Sequence, residues 1–351
     1  MKVLHVVPCL PKASGVTTFV VECSDALQRL GMRQSIAINN RIRFDVAPST
    51  AEVPRLDSAE ALSCIRNFDI VHLHGIWPPF MHCFVVAARR YGIPVIWSLH
   101  GMLSPWAMKY KWWKKALPWA LWQKRDLEFA QLLHVTGDCE MEWVRTLGFA
   151  NPIVKIPLGT KVPKQIQPRA HKVETLLFVG RISPIKGLEN LLRAWGGMRH
   201  EGWKLRIVGI DESGYLLKLK LLFSDLFQTG VIETPGPKYD EDLENEYQDA
   251  AALILPSFTE NFGGVVVDAL ARGLPVITST GTPWSEIHGK CGWWVGNDPD
   301  SLSRALEELM ALPEGRRWEM GACGRNFAVS KYSWGAVAKG LMNAYESLTS
   351  K

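Results

Sequence analysis

The chain has 351 residues, 47% of them apolar and 21% charged, with a formal net charge of +5 and a pI near 8.8. A single core rarely grows past roughly 250–300 residues, so two domains are expected. The mild positive excess suits an anionic substrate or an anionic membrane surface, and is too small to argue for nucleic acid.

The N-terminal "MKVLHVVPCLP" has a short apolar run stopped by Pro8 and no small-residue cleavage site, so it does not read as a secretory signal. No stretch approaches the roughly 20 apolar residues of a membrane span. Seven cysteines are scattered without a C-x-x-C pair, which points to a reduced, cytoplasmic compartment rather than a disulfide framework.

Short apolar runs then alternate with helical stretches. "KVLHVVP", "SIAIN", "DIVHLHG", "PVIWSLHG" and "LLHVTG" read as buried parallel strands, with helical patterns such as 16–30 and 79–91 between them. The run 151–174 has four prolines and no helical periodicity, and its second half reads as a linker. A second series follows: "TLLFVGR", "KLRIVG", "ALILPS", "PVITS" and "GWWV". Two βα series imply two doubly wound α/β domains, 1–162 and 174–333, with ligands outside the carboxyl ends of the strands. The terminal segment 334–351 reads as a helix that packs back on the first domain.

The stretch "PSFTENFGGVVVDALARGLPVI" places Glu260 and Asp268 eight positions apart around a Gly-Gly pair. It reads as a strand end, a loop and a helix capped by Asn261 and running to Arg272. The backbone N–H groups of Phe262, Gly263 and Gly264 would then stand unpaired at the positive helix end. That is an anion seat between two carboxylates that accept sugar hydroxyls, or an ordinary loop with two surface acids. "FVGRISPIKG" adds Arg181 and Lys186, five apart in an irregular turn after a strand, as a phosphate fork and a point charge.

These two stretches resemble the signature regions of the retaining glycosyltransferase family 4, of GT-B fold: two facing Rossmann-like domains with a cleft between them. The likeness covers nearly the whole chain. It implies that Arg181 and Lys186 bind the diphosphate of a UDP- or GDP-sugar, and that Glu260 faces the donor sugar. It implies that Asp268 holds the ribose, where the family usually has glutamate, and that Phe262, Gly263 and Gly264 shape the donor pocket. His100, in "SLHG", would sit near the transferred sugar and the acceptor. The loop "KASGVTT" with Gly15 would close on the diphosphate, although the family often has paired glycines there. The implied activity is hexosyl transfer with retention to a glycan or lipid-linked acceptor, such as a polysaccharide precursor.

Fixed cations and backbone donors can stabilise a leaving diphosphate without metal, and no D-x-D triplet stands at a convincing strand end, so metal independence is expected. "HLH" puts His72 and His74 on one strand face. With no further ligand nearby in sequence, a structural or cleft-lining role is favoured over half a metal site.

Residues 105–125 hold five tryptophans (Trp106, Trp112, Trp113, Trp119, Trp122), six basic residues (Lys109, Lys111, Lys114, Lys115, Lys124, Arg125) and no acid. Three readings stand: a surface for anionic lipid at the inner face of the cytoplasmic membrane, an acceptor stacking site, or a packed helix pair with snorkelling cations. Competing functions are a GT-B epimerase or phosphorylase, or a non-catalytic membrane-surface protein. A dinucleotide oxidoreductase would need G-x-G-x-x-G after the first strand, and "PKASGVTT" is not that.

Overall fold

The computed structural model describes residues 1–10, 14–39, 53–166, 173–211 and 213–349, in two compact units. One is Met1–Gly159 with Trp334–Lys351, the other Thr160–Ser333. Thr160 to Val162, expected with the first domain, belong to the second. The Thr160 N–H donates to the Tyr332 carbonyl (2.7 Å) and its hydroxyl to Asp268 (2.6 Å). Part of the expected linker, 167–172, lies outside the described residues.

In the first unit the elements run β1 (Lys2–Val7), α1 (Gly15–Arg29), β2 (Arg33–Ile38), β3 (Arg55–Asp57), α2 (Ser58–Ser63) and β4 (Ile70–His74). Next come α3 (Pro79–Tyr91), β5 (Val95–Ser98), α4 (Pro105–Lys109), α5 (Trp112–Pro118) and α6 (Lys124–Phe129). β6 (Leu132–Val135), α7 (Asp138–Thr146) and β7 (Ile153–Lys155) complete the series. The strands form a parallel sheet in the order β3-β2-β1-β4-β5-β6-β7.

The second unit has β8 (Glu174–Val179), α8 (Leu188–Gly197), β9 (Trp203–Val208), α9 (Tyr215–Leu222), α10 (Ser224–Gln228) and β10 (Ile232–Gly236). It continues with α11 (Asp240–Asp249), β11 (Ala252–Leu255), α12 (Gly264–Ala271), β12 (Val276–Ser279), β13 (Gly292–Val295), α13 (Pro299–Ala311) and α14 (Glu314–Tyr332). Its parallel sheet has the order β10-β9-β8-β11-β12-β13. In each sheet the strand order reverses at one point, between β1 and β4 and between β8 and β11. Ligands of open α/β sheets bind at such switch points.

Alternate sheet residues build two cores in the first unit. Leu4, Val6, Val71, Leu73 and Trp97 pack toward α3, and Val3, Val7, Ile70 and Ile96 toward α1. The terminal helix α15 (Trp334–Thr349) joins the second of these cores. Its buried Trp334, Val337, Ala338, Leu341, Ala344 and Tyr345 form one helical stripe, which must be covered, and α1 covers it.

Three strands are absent from the sequence reading: β3, β7 and β10. β3, β7 and β10 all lie at sheet edges. An edge strand needs only one buried face and tolerates proline, as Pro235 in β10 shows, so its apolar signal is weak.

Candidate active site

The second unit gathers its charged residues at the switch point. β8 ends at Val179, and the turn carrying Arg181 leads into a single 3-10 turn, Pro184–Lys186. Gly187 follows in the left-handed region (φ 69°), where a Cβ would stand 2.0 Å from the Pro256 carbonyl oxygen. This close approach ties the turn after β8 to the loop after β11, and Phe258 N–H donates to the Ile185 carbonyl (2.8 Å). Lys186 is thereby carried onto Glu260.

Lys186 Nζ and Glu260 Oε1 form an ion pair, with the side chains only 15% and 14% exposed. Ser257 Oγ donates to the same oxygen (2.8 Å). Glu260 Oε2 makes no hydrogen bond among the described residues, and the ammonium has two further protons. The sequence assigned these two residues to different parts of a ligand. The structure makes them direct partners, because a largely buried charge needs a counter-charge.

The helix after the loop starts later than expected. α12 begins at Gly264, capped by Gly263 with φ 75°, and Asn261 makes no cap. The left-handed residue at 263 holds the preceding residues out of the helix. Val266 N–H already donates to the Gly263 carbonyl (2.9 Å). The open donors of the helix's first turn are therefore those of Gly264 and Val265, and the expected Phe262 and Gly263 N–H groups also make no hydrogen bond among the described residues. Phe262 is a packing residue: it is 6% exposed, its ring lies 5.1 Å from Trp284, and its carbonyl accepts from Trp284 Nε1 (2.5 Å).

Asp268 sits in the second turn of α12. Its Oδ1 accepts from Thr160 (2.6 Å) and lies 4.0 Å from Arg272 Nη1, while Oδ2 makes no hydrogen bond among the described residues. Burial pushes its carboxyl above the usual range, opposed by Arg272 and Thr160. Arg272 is held in turn by both oxygens of Glu244 (2.9 and 3.0 Å to Nε) and stacks on Tyr247. Each carboxylate of the site thus has one oxygen fixed by protein and one open. Arg181 stands exposed on its turn.

In the first unit, Gly15 is exposed at the start of α1, behind Ser14 as N-cap; Lys12 and Ala13 of the same loop lie outside the described residues. His100 follows β5 in the left-handed region (φ 52°), a conformation that costs a non-glycine residue about 1–3 kcal/mol unless its surroundings hold it. Those surroundings include the fully buried Glu140, which accepts from Gly101 N–H, Thr136 N–H (2.8 Å) and Thr136 Oγ1 (3.0 Å).

His72 and His74 are not an isolated pair. His5, His100 and His134 join them on the same sheet face, because β1, β4, β5 and β6 end in register. Burial lowers all five imidazoles: His5 and His134 to about 4, His100 to about 3, and His72 and His74 well below the usual value. His5, His72 and His74 offer nitrogens within 4.8 Å of one another. His5 and His74 spend theirs on a mutual hydrogen bond (3.0 Å), which a cation would have to break. The signal in the sequence was a histidine within or just after four of the first-series strands, β1, β4, β5 and β6, visible once those strands are aligned.

The 105–125 stretch does not fold as a packed helix pair. Trp106, Trp112 and Trp113 are 58%, 65% and 61% exposed, as are Tyr110, Leu117 and Leu121 at over half. Lys109, Lys111, Lys114, Lys124 and Arg125 are exposed beside them. Lys115 is stapled to the carbonyls of Ala107 and Tyr110 (2.8 Å to the latter), which fixes α4 against α5. Trp119 and Trp122 are half-buried, and Trp119 packs on the core. Pro118, lacking an N–H, is followed by a π-turn at Trp119–Gln123.

Two Rossmann-like domains with such a charged switch point have the GT-B architecture of nucleotide-sugar enzymes. The chain superposes on HepE from Anabaena in complex with UDP-glucose with a TM-score of 0.76 at 14% identity, covering 99% of this chain and 100% of that one. Residues 161–326 match the family model for glycosyl transferases group 1, and residues 14–159 that for the glycosyl transferase 4-like domain. The chain belongs to the family-4 glycosyltransferases. It is 28% identical to D-inositol 3-phosphate glycosyltransferase of Nocardiopsis dassonvillei over 83% of this chain and 73% of that protein. It is 34% identical to the Corynebacterium jeikeium protein of the same name over 50% of this chain and 44% of that protein, under half of its length.

Proposed function

We propose that the protein transfers a hexosyl group, with retention, from a UDP-sugar to a hydroxyl of a lipid-linked glycan, without a metal ion. The Lys186–Glu260 pair at the β8/β11 switch point carries this reading. The two open ammonium protons of Lys186, the Arg181 guanidinium and the open N–H groups of Gly264 and Val265 receive the diphosphate and stabilise it as it departs. Open oxygens then serve hydroxyls: Glu260 Oε2 for the donor sugar, Asp268 Oδ2 for the ribose. Attack comes from the face the leaving group quits, and a departing phosphate oxygen takes the acceptor proton. In the first unit, Gly15 and His100 are the substrate-binding residues of this reading.

UDP is preferred over GDP because HepE, of like fold, binds UDP-glucose. A lipid-linked acceptor is preferred over the inositol phosphate of the named relatives because of the exposed Trp106, Trp112 and Trp113 beside the exposed Lys109, Lys111 and Lys114. Tryptophan at headgroup depth and lysine against anionic lipid describe a peripheral membrane surface. No helix among the described residues is long and apolar enough to cross a membrane.

The test is a thermal-shift screen of UDP- and GDP-sugars, followed by product mass spectrometry with lipid-linked and inositol phosphate acceptors. A UDP-sugar that stabilises the protein and yields a glycosylated lipid product is the expected result. Stabilisation by GDP-sugars alone would overturn the donor, and epimerised donor without transfer would overturn the reaction.

A further inference from the structure

The buried histidines of the first unit form two hydrogen-bonded chains, and carbonyl oxygens set their direction. Gln34 Nε2 donates to the Ser24 carbonyl (2.5 Å), which turns Gln34 Oε1 toward His5 Nε2 (3.2 Å). An amide oxygen only accepts, so His5 Nε2 carries the proton. The ring is neutral, so its Nδ1 is a lone pair. That lone pair accepts from His74 Nε2 (3.0 Å), and His74 Nδ1 then accepts from His100 Nε2 (3.3 Å). The second chain obeys the same rule from the other end. His134 Nε2 donates to the Ile156 carbonyl (2.8 Å), Ser98 Oγ to His134 Nδ1 (2.5 Å), His72 Nε2 to Ser98 Oγ (2.7 Å), and Tyr345 OH to His72 Nδ1 (2.7 Å). Every ring is left protonated on Nε2, and one nitrogen is left over: His100 Nδ1 makes no hydrogen bond among the described residues.

We propose that His74, His5 and Gln34 are positioning residues: their one-way chain of hydrogen bonds locks His100 as the Nε2–H tautomer, so that Nδ1 offers a fixed lone pair to a substrate hydroxyl. This rests on the reading of His100 as a group at the transferred sugar. The geometry excludes the opposite role. A His100 that donated from Nδ1 would bring two lone pairs together at His74. It would reverse every bond back to Gln34, where a proton acceptor would meet an oxygen. The positive φ of His100 serves the same end, since it places the ring on the strand face where His74 ends. Neutrality of the chain follows from burial, which lowers each member.

Two readouts test this. Long-range nitrogen–proton correlation spectra of protein labelled with nitrogen-15 histidine are expected to show Nε2 protonated and Nδ1 unprotonated in all five rings at neutral pH. A His100 ring protonated on Nδ1, or a mixture of tautomers, overturns the proposal. His74→Phe fills the space but removes the acceptor, and is expected to lower kcat about tenfold with donor KM nearly unchanged, while His100 becomes a tautomer mixture. His74→Asn, whose Oδ1 stands near the former Nδ1, is expected to recover most of kcat. A folded His74→Phe with full kcat overturns the proposal. Should that variant not fold, Gln34→Met, three links from His100, is expected to give the same tautomer mixture, and a single tautomer there overturns the lock. Full activity of His100→Ala would instead defeat the placement of His100 at the sugar, and the nitrogen spectra distinguish the two failures.

Discussion

The two sheets carry opposite chemistry at their switch points. Between β8 and β11 the second unit holds full charges in pairs, Lys186 with Glu260 and Arg272 with Glu244 and Asp268. Between β1 and β4 the first unit holds neutral rings, each proton assigned by a neighbour. The same sheet architecture thus offers one surface suited to a diphosphate and another suited to uncharged hydroxyls. The difference also shows in what each kind of group demands of its neighbours. A buried charge must find a counter-charge, whereas a neutral imidazole needs only a donor and an acceptor.

The comparison is broken most severely at Lys186 and Glu260. Glu260→Ala and Lys186→Ala are each expected to lower kcat/KM by about 10³-fold or more, measured with purified, folded protein. Full activity in either would move the site elsewhere.

Acid separates the two regions next. His5 and His134 titrate near 4 in the fold against 6.5 when free, so between those values the unfolded chain binds more protons. Their contribution to stability is complete above about pH 6.5 and is lost as pH falls toward 4. At about pH 5 each costs the fold roughly 2 kcal/mol. Calorimetry with domain-resolved hydrogen exchange is expected to show the first unit loosening before the second. Acid unfolding that starts in the second unit would contradict the assignment of neutral, buried rings.

A smaller effect is expected at the exposed tryptophans. Trp112→Ala with Trp113→Ala is expected to reduce flotation with vesicles containing anionic lipid, and to leave transfer to a water-soluble acceptor nearly unchanged. Equal flotation of the pair variant would remove the membrane reading. Smallest of all is the effect of EDTA, expected to be nil; activity lost in EDTA and restored by Mn²⁺ would end the metal-free account.

The buried strands were legible because their apolar runs are continuous, and Lys186, Glu260 and Asp268 because small and turn-forming residues surround them. Other features were not. β3, β7 and β10 are edge strands with weak apolar signal. The start of α12 depends on the positive φ of Gly263, which a local reading passes over in favour of Asn261 as cap. The Lys186–Glu260 bond joins residues 74 positions apart and requires the Gly187 approach to Pro256. The histidine chains need four strands in register, plus Gln34 and the terminal Tyr345, none of which is adjacent in sequence to its partners. Glu140 is one of three acids on α7 in sequence, and only the fold places it under the His100 turn.

Titration calorimetry of UDP in EDTA, with the unaltered protein, Lys186→Met, and Lys186→Met combined with Glu260→Gln, puts the gripping of the diphosphate by fixed protein charge to the most direct trial. The double variant removes both charges, so no unpaired carboxylate is left to disturb the fold. The account predicts binding without metal by the unaltered protein and a loss of about 10²-fold in both variants. Undiminished binding by the neutral pair, or binding by the unaltered protein only after a divalent cation is added, would contradict it.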